Sequence, residues 1–345
     1  MTTSLPVASA YRANLRRNVG FVISLLVLIC VSVLHIALGA RTVSITEVML
    51  ALTSFNDSNL NHIIIMELRV PRLVAAIIAG SGLALTGAGL QAMTRNPLAD
   101  PGLLAILSGA SFFVLAFVSV LQWFAMAFIP LVAAVGASVA GAFVWWIAKK
   151  LPGGASPLAL ILSGAIVSAM LAAAITLLQL FNDQSFNELR VWLVGSLAGN
   201  AWPALYWVAP LWCLALVGIL SQSRVFTLLL LGEQTAQAMG AHLPRRKVLI
   251  VVCLILLSAA AVAVAGPLGF VGLVIPHVVK LLIGADYRWV LPFSAVLGAA
   301  YLIGVDCLAR TLIAPRELST GLLTVLIGSP LFIYLVRQNF GRGLG

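Results

Sequence analysis

Few side chains in this sequence could move a proton, bind a metal or attack a substrate, and most of them lie inside apolar runs. Asp306 is the clear carboxylate deep in such a run, and Arg310 follows four residues on. On a helix the two share a face and can pair. A carboxylate inside a membrane span serves either a proton relay or a neutralised pair, and this spacing favours the pair. His277, in GLVIPHVVK, and the many serines of the runs are ingredients of a hydrolase. A serine enzyme, however, needs nucleophile, base and oxyanion site in reach of one another, and no nucleophile-turn motif accompanies them. No GxxxxGK[ST] is present to cradle a nucleotide phosphate, and no HExxH to hold zinc. Cys30, Cys213, Cys253 and Cys307 all sit in apolar runs without a CxxC pair, so they read as small apolar side chains.

A second set of charges points to binding rather than catalysis. Arg69 and Arg72 bracket Pro71 at the mouth of an apolar run, in ELRVPRLVAAIIAGSGLALTGAGLQAMTRNPLADPG (67–102). Arginine is costly near hydrocarbon. These two either snorkel to hold a helix end at the interface or receive something from outside. Pro71 would fix the helix start, and with it the direction of both charges.

The elements that must position these groups are membrane spans. The 345 residues are 62% hydrophobic and only 9% charged, which excludes the soluble classes. Apolar runs occur near 19–40, 73–93, 102–121, 124–148, 157–181, 203–221, 247–266, 270–284, 289–309 and 320–337, which gives an all-α chain of about ten spans. The first run is too long for a secretory core of roughly 7–15 residues, so it reads as a retained span behind a cytoplasmic tail, residues 1–18. With both termini inside, Arg95, Lys149, Lys150, Arg224, Arg245, Arg246, Lys247 and Arg288 all fall in cytoplasmic loops, as orientation by basic residues requires. The net charge of +10 therefore reflects membrane orientation and not a nucleic-acid partner.

Small residues at four-residue spacing (Ala75/Ala79, Ala84/Ala88, Gly136/Ala140, Ala137/Gly141) predict closely packed helices. Within the single transmembrane domain, 19–338, three polar stretches stand between spans: an outer loop at 41–68, an amphipathic surface helix at 186–199, and a cytoplasmic connection at 222–247. In that connection Gly240 would cap a short helix beginning at Glu233.

Taken together, LRVPRLVAAIIAGSGLALTGAGLQAMTRNPLADPG, VWLVGSLAG, LGEQTAQAMGAHLPRRK, GPLGFVGLVIPH and RELSTGLLTVLIGSPLFIYLV resemble the FecCD-type permeases, membrane subunits of bacterial ABC importers for iron-siderophores, haem and cobalamin. The resemblance implies the type II importer fold, ten helices per subunit, and dimerisation with a second permease about a translocation path lined partly by the fifth span. It also implies two cytoplasmic ATPase subunits that bind ATP and magnesium, a periplasmic or lipid-anchored substrate-binding protein, and no cofactor in this chain. The cargo it implies is a metal chelate, ferric siderophore first, and the location is the bacterial cytoplasmic membrane. The family's coupling helix matches Gly232, Glu233, Ala236, Met239, Gly240 and His242. Its outer arginines, which dock acidic residues of the binding protein, match Arg69, Arg72 and Arg310, and Arg316 is a further outer charge. An inner gate would fall at Gly154, Ala155, Ser156, Pro157 and Leu158. Two other classes compete: an ion-coupled transporter using Asp306, and an intramembrane enzyme using His277.

Overall fold

The structure is a computed structural model and describes residues 5–39, 42–121, 128–152, 154–181, 190–199, 202–230 and 243–342. No strand occurs among the described residues. The elements are α1 (Leu5–Ala37), α2 (Ile45–Thr53), α3 (Leu60–Ile63), α4 (Val70–Thr94), α5 (Ile106–Leu121), α6 (Ile129–Lys150) and α7 (Pro157–Phe181). They continue with α8 (Trp202–Ser221), α9 (Ser223–Leu230), α10 (Leu243–Ala265), α11 (Val271–Ile283), α12 (Tyr287–Thr311) and α13 (Thr320–Arg342). Among the described residues, seven helices are long and apolar enough to cross a bilayer, and α5, α11 and α13 contain shorter apolar segments. Each coincides with one of the runs read from hydropathy.

Burial separates the centre from the rim. The apolar stretch containing α4 is 83% buried and that of α10 is 78%, against 17% for α1. Helices gain no hydrophobic drive to associate within lipid, so close contact between backbones supplies much of the attraction. The α4 sequence provides for it. Ala75, Ala79, Ala84 and Ala88 are fully buried, and a Cβ on Gly80 would strike the backbone of Gly298 on α12. Gly136 of α6 meets Gly109 and Phe113 of α5 in the same manner. Polar bonds add to this packing: Ser258 Oγ of α10 donates to Thr86 Oγ1 of α4 at 2.9 Å, and Thr86 Oγ1 donates to the Gly82 carbonyl. Lys280 of α11 donates to Gln91 Oε1 at 2.7 Å and lies over the Tyr287 ring.

Two features differ from the sequence expectation, each for a local reason. Pro71 does not begin a span. A continuous helix starts at Leu60 and passes through one π-helical stretch, Ile64–Arg69, directly before α4. Proline lacks an N–H and its ring crowds the carbonyl four residues back; the widened turn accommodates it there. The second is α11, which spans only half the bundle. The chain leaves α10, turns at Gly266 (φ 66°) and re-enters, and α11 starts after Phe270 (φ 68°). Gly272 then sits against Leu83 and Gly87, from the middle to the second half of α4, where a Cβ on Gly87 would collide with the Gly272 backbone. The turn after α4 is capped as its residues suggest: Asn96 Oδ1 accepts from Leu98 N at 2.9 Å, and Asp100 Oδ1 accepts from Gly102 N at 3.0 Å.

Candidate functional site: a charged cluster at one end of the bundle

The carboxylate singled out above is the centre of the site. Asp306, in the last turns of α12, is fully buried. Three elements beyond its own helix bring donors to it. Arg72, in the first turn of α4, donates through Nε to Oδ2 at 2.8 Å and through Nη2 to Oδ1 at 3.0 Å. Such a two-pronged fit is what the planar guanidinium provides and lysine cannot. Thr320, the first residue of α13, donates Oγ1 to Oδ1 at 2.7 Å. His35, near the end of α1 and itself fully buried, lies 2.9 Å away through Nε2. The expected partner Arg310 is present but farther, at 3.5 Å. The cluster thus ties the ends of α1, α4, α12 and α13 together.

The other two arginines act on α1. A helix ends with carbonyls that lack partners and carry partial negative charge. Arg69 Nη1 donates to the Ala37 carbonyl at 3.0 Å and to that of Ile36, and Arg310 Nη2 donates to the His35 carbonyl at 2.7 Å. Arg69 is 5% exposed and Arg310 4%. Both are therefore caps on the end of α1, turned inward in this chain. Arg72 differs, because its Nη1 points to the surface and donates to Glu317 Oε2 at 2.8 Å. Glu317 belongs to the exposed loop between α12 and α13, beside the exposed Arg316.

The remaining sequence candidates are spread along the chain. Gly154 adopts a left-handed turn (φ 71°), Ala155 is partly buried, and Ser156 Oγ caps α7 by accepting from Ala159 N at 3.2 Å. Pro157 is the first residue of α7 and Leu158 is 74% exposed. Gly232, Glu233, Ala236, Met239, Gly240 and His242 lie outside the described residues. Of the surface segment, 190–194 is helical. Its end is pinned to the cluster, since the Gly195 carbonyl accepts from Ser319 Oγ and from Gly321 N. His277 is half-buried on α11, and no group of three potential metal ligands occurs among the described residues.

Reading from sequence missed His35, Thr320 and Glu317. A histidine inside the first span was the available signal, because an ionisable side chain in a span implies a partner. Thr320 and Glu317 carried none: one is an ordinary helix-start residue and the other an ordinary loop residue until the fold brings them to Asp306 and Arg72.

A bundle of this kind, with its buried charge paired and seven of its described helices long and apolar enough to cross a bilayer, defines a multi-pass membrane protein. The chain belongs to the FecCD transport family, whose family model matches residues 25–338. The Fe(3+)-citrate import system permease protein YfmD of Bacillus subtilis is 38% identical over 97% of this chain and 99% of its own length. The probable siderophore transport system permease protein YfiZ of the same organism is 37% identical over 91% and 93%. The hemin transport system permease protein HmuU of Yersinia pestis is 36% identical over 95% and 97%. Among solved structures, a metal-chelate type ABC transporter in an inward-facing conformation superposes with a TM-score of 0.80 at 30% identity, over 92% of this chain and 98% of that one. The chain is therefore an ABC permease subunit and not an enzyme, and the all-α fold read from the sequence is the observed one.

Proposed function

We propose that this chain moves a metal chelate, ferric siderophore first and haem or cobalamin as alternatives, across a bacterial cytoplasmic membrane into the cytoplasm. The observation that carries this reading is the similarity, along almost the whole chain, to permeases named for siderophore, ferric citrate and hemin transport. It pairs with a second permease, identical or related, and rests on two ATPase subunits that bind ATP and magnesium. A periplasmic or lipid-anchored binding protein delivers the cargo. Both termini lie in the cytoplasm, a topology supported by the basic residues that follow α4, end α6 and begin α10 and α12. ATP-driven closure of the ATPases moves the 232–242 segment, and the two permeases rock about the path between them, with the inner gate at 154–158.

In this reading the binding protein lands at the Asp306 end. Arg72 and Arg316 meet its acidic residues, while Arg69 and Arg310, held against the end of α1, support that surface from beneath. Charge complementarity there sets encounter rate and register. The Asp306 pairing supports an energy source outside the chain, because a carboxylate saturated with donors is poorly suited to relaying protons.

Affinity capture in mild detergent, followed by identification of the neighbours, tests the assignment. An ATPase subunit and a solute-binding protein should be recovered with the chain. A chain that purifies without an ATPase, and whose uptake collapses with the proton gradient, would return Asp306 to the role of relay.

A further inference from the structure

The Arg72 guanidinium is shared between two carboxylates of different character. Nε and Nη2 are locked onto Asp306, which is fully buried on α12. The outer edge, Nη1, is covered by Glu317 from a loop in which residues 312–317 are all exposed. The Arg72 side chain is 11% exposed beneath it, whereas that of Glu317 is 37% exposed. The two contacts differ in strength for a physical reason. The buried bidentate pair is desolvated and reinforced by Thr320 and His35, while the outer pair competes with water and salt, and surface pairs contribute little. Asp306 thus aims a fixed cation at the surface, and Glu317 is a weak, displaceable cover on it. Arg316, the residue just before Glu317, is exposed and makes no ion pair among the described residues.

We infer that Glu317 is an internal stand-in for a carboxylate of the docking partner: an acidic surface binds by displacing Glu317 from Arg72 Nη1, and Arg316 meets a second acid beside it. This rests on the docking role proposed above and adds its regulation. In the undocked chain Glu317 masks Arg72 and keeps a lone buried-edge cation from attracting unrelated anions. On docking it swings into solvent, where the loop already exposes it. The partner this surface fits is a folded protein presenting two carboxylates, since one exchanges for Glu317 while the other faces Arg316.

The probe is the solute-binding protein recovered in the capture experiment, purified and titrated by interferometry onto the full permease–ATPase complex in nanodiscs. Glu317→Gln removes the competing charge and keeps the side-chain size; it should tighten docking about two- to fivefold at low ionic strength, the range expected of an exposed pair. That gain should fade as salt rises. Arg316→Glu should weaken docking about tenfold. Glu317→Gln that leaves docking unchanged or weaker, while Arg316→Glu weakens it, overturns the stand-in and leaves the docking surface intact. No change in either variant removes the docking surface itself, and the stand-in with it. Recovery of each variant with its ATPase subunits on size exclusion shows that the fold is retained.

Discussion

At the scale of single residues, Asp306 shows how a costly buried charge becomes a structural joint. Its two oxygens accept from Arg72 and Thr320 and lie beside His35, so removing the carboxylate strands a buried guanidinium. Breaking a buried pair from one side costs about 3–5 kcal/mol. Asp306→Ala should accordingly lower the thermal midpoint of the detergent-purified protein strongly, and Asp306→Asn, which keeps one carbonyl acceptor, should lower it less. Equal midpoints for wild type and Asp306→Ala would contradict the joint. The Arg310 partnership was legible because it is local, four residues along one helix. The stronger partners, Arg72 and His35, are 234 and 271 positions away in sequence, and only the folded bundle brings them near. For the same reason Arg69 and Arg310 could be placed at an outer rim but not seen to cap α1.

At the scale of elements, small residues decide how near the helices come. A Cβ on Gly87 would enter the backbone of Gly272, and one on Gly321 would enter the carbonyl of Val194. Backbone cannot yield as a flexible side chain can. Gly304, in contrast, has nothing within 4 Å of that position. Gly87→Ala and Gly321→Ala should therefore destabilise the bundle by about 1–3 kcal/mol. Gly304→Ala should be neutral or slightly stabilising, since alanine is the better helix former. Thermal size-exclusion assays on the three variants check the contrast, and equal losses in all three would refute it. The spacing of alanines and glycines disclosed which faces approach, but not which helix each face meets. The shortness of the 270–284 run was visible as well. Its cause was not, because a helix that begins at mid-depth depends on left-handed backbone at Gly266 and Phe270. Nothing in the residue type of Phe270 announces such a conformation.

At the scale of the whole molecule, the two ends of the bundle have different characters. One end carries the basic residues that flank spans, including Arg17, which lies 3.5 Å from Asp286. The other carries the Asp306 cluster, the 190–199 segment pinned to it, and the loop with Arg316 and Glu317. Composition and hydropathy were sufficient to place the apolar helices among the described residues, since each needs its own apolar run. The central claim is that energy enters through separate ATPase subunits and not through Asp306. Reconstitute the permease with its captured ATPase in proteoliposomes, supply the loaded binding protein, and follow uptake of labelled ferric siderophore. The account predicts uptake that requires ATP and the ATPase subunits and persists when a protonophore abolishes the proton gradient. Uptake that continues without the ATPase and stops with the protonophore would contradict it.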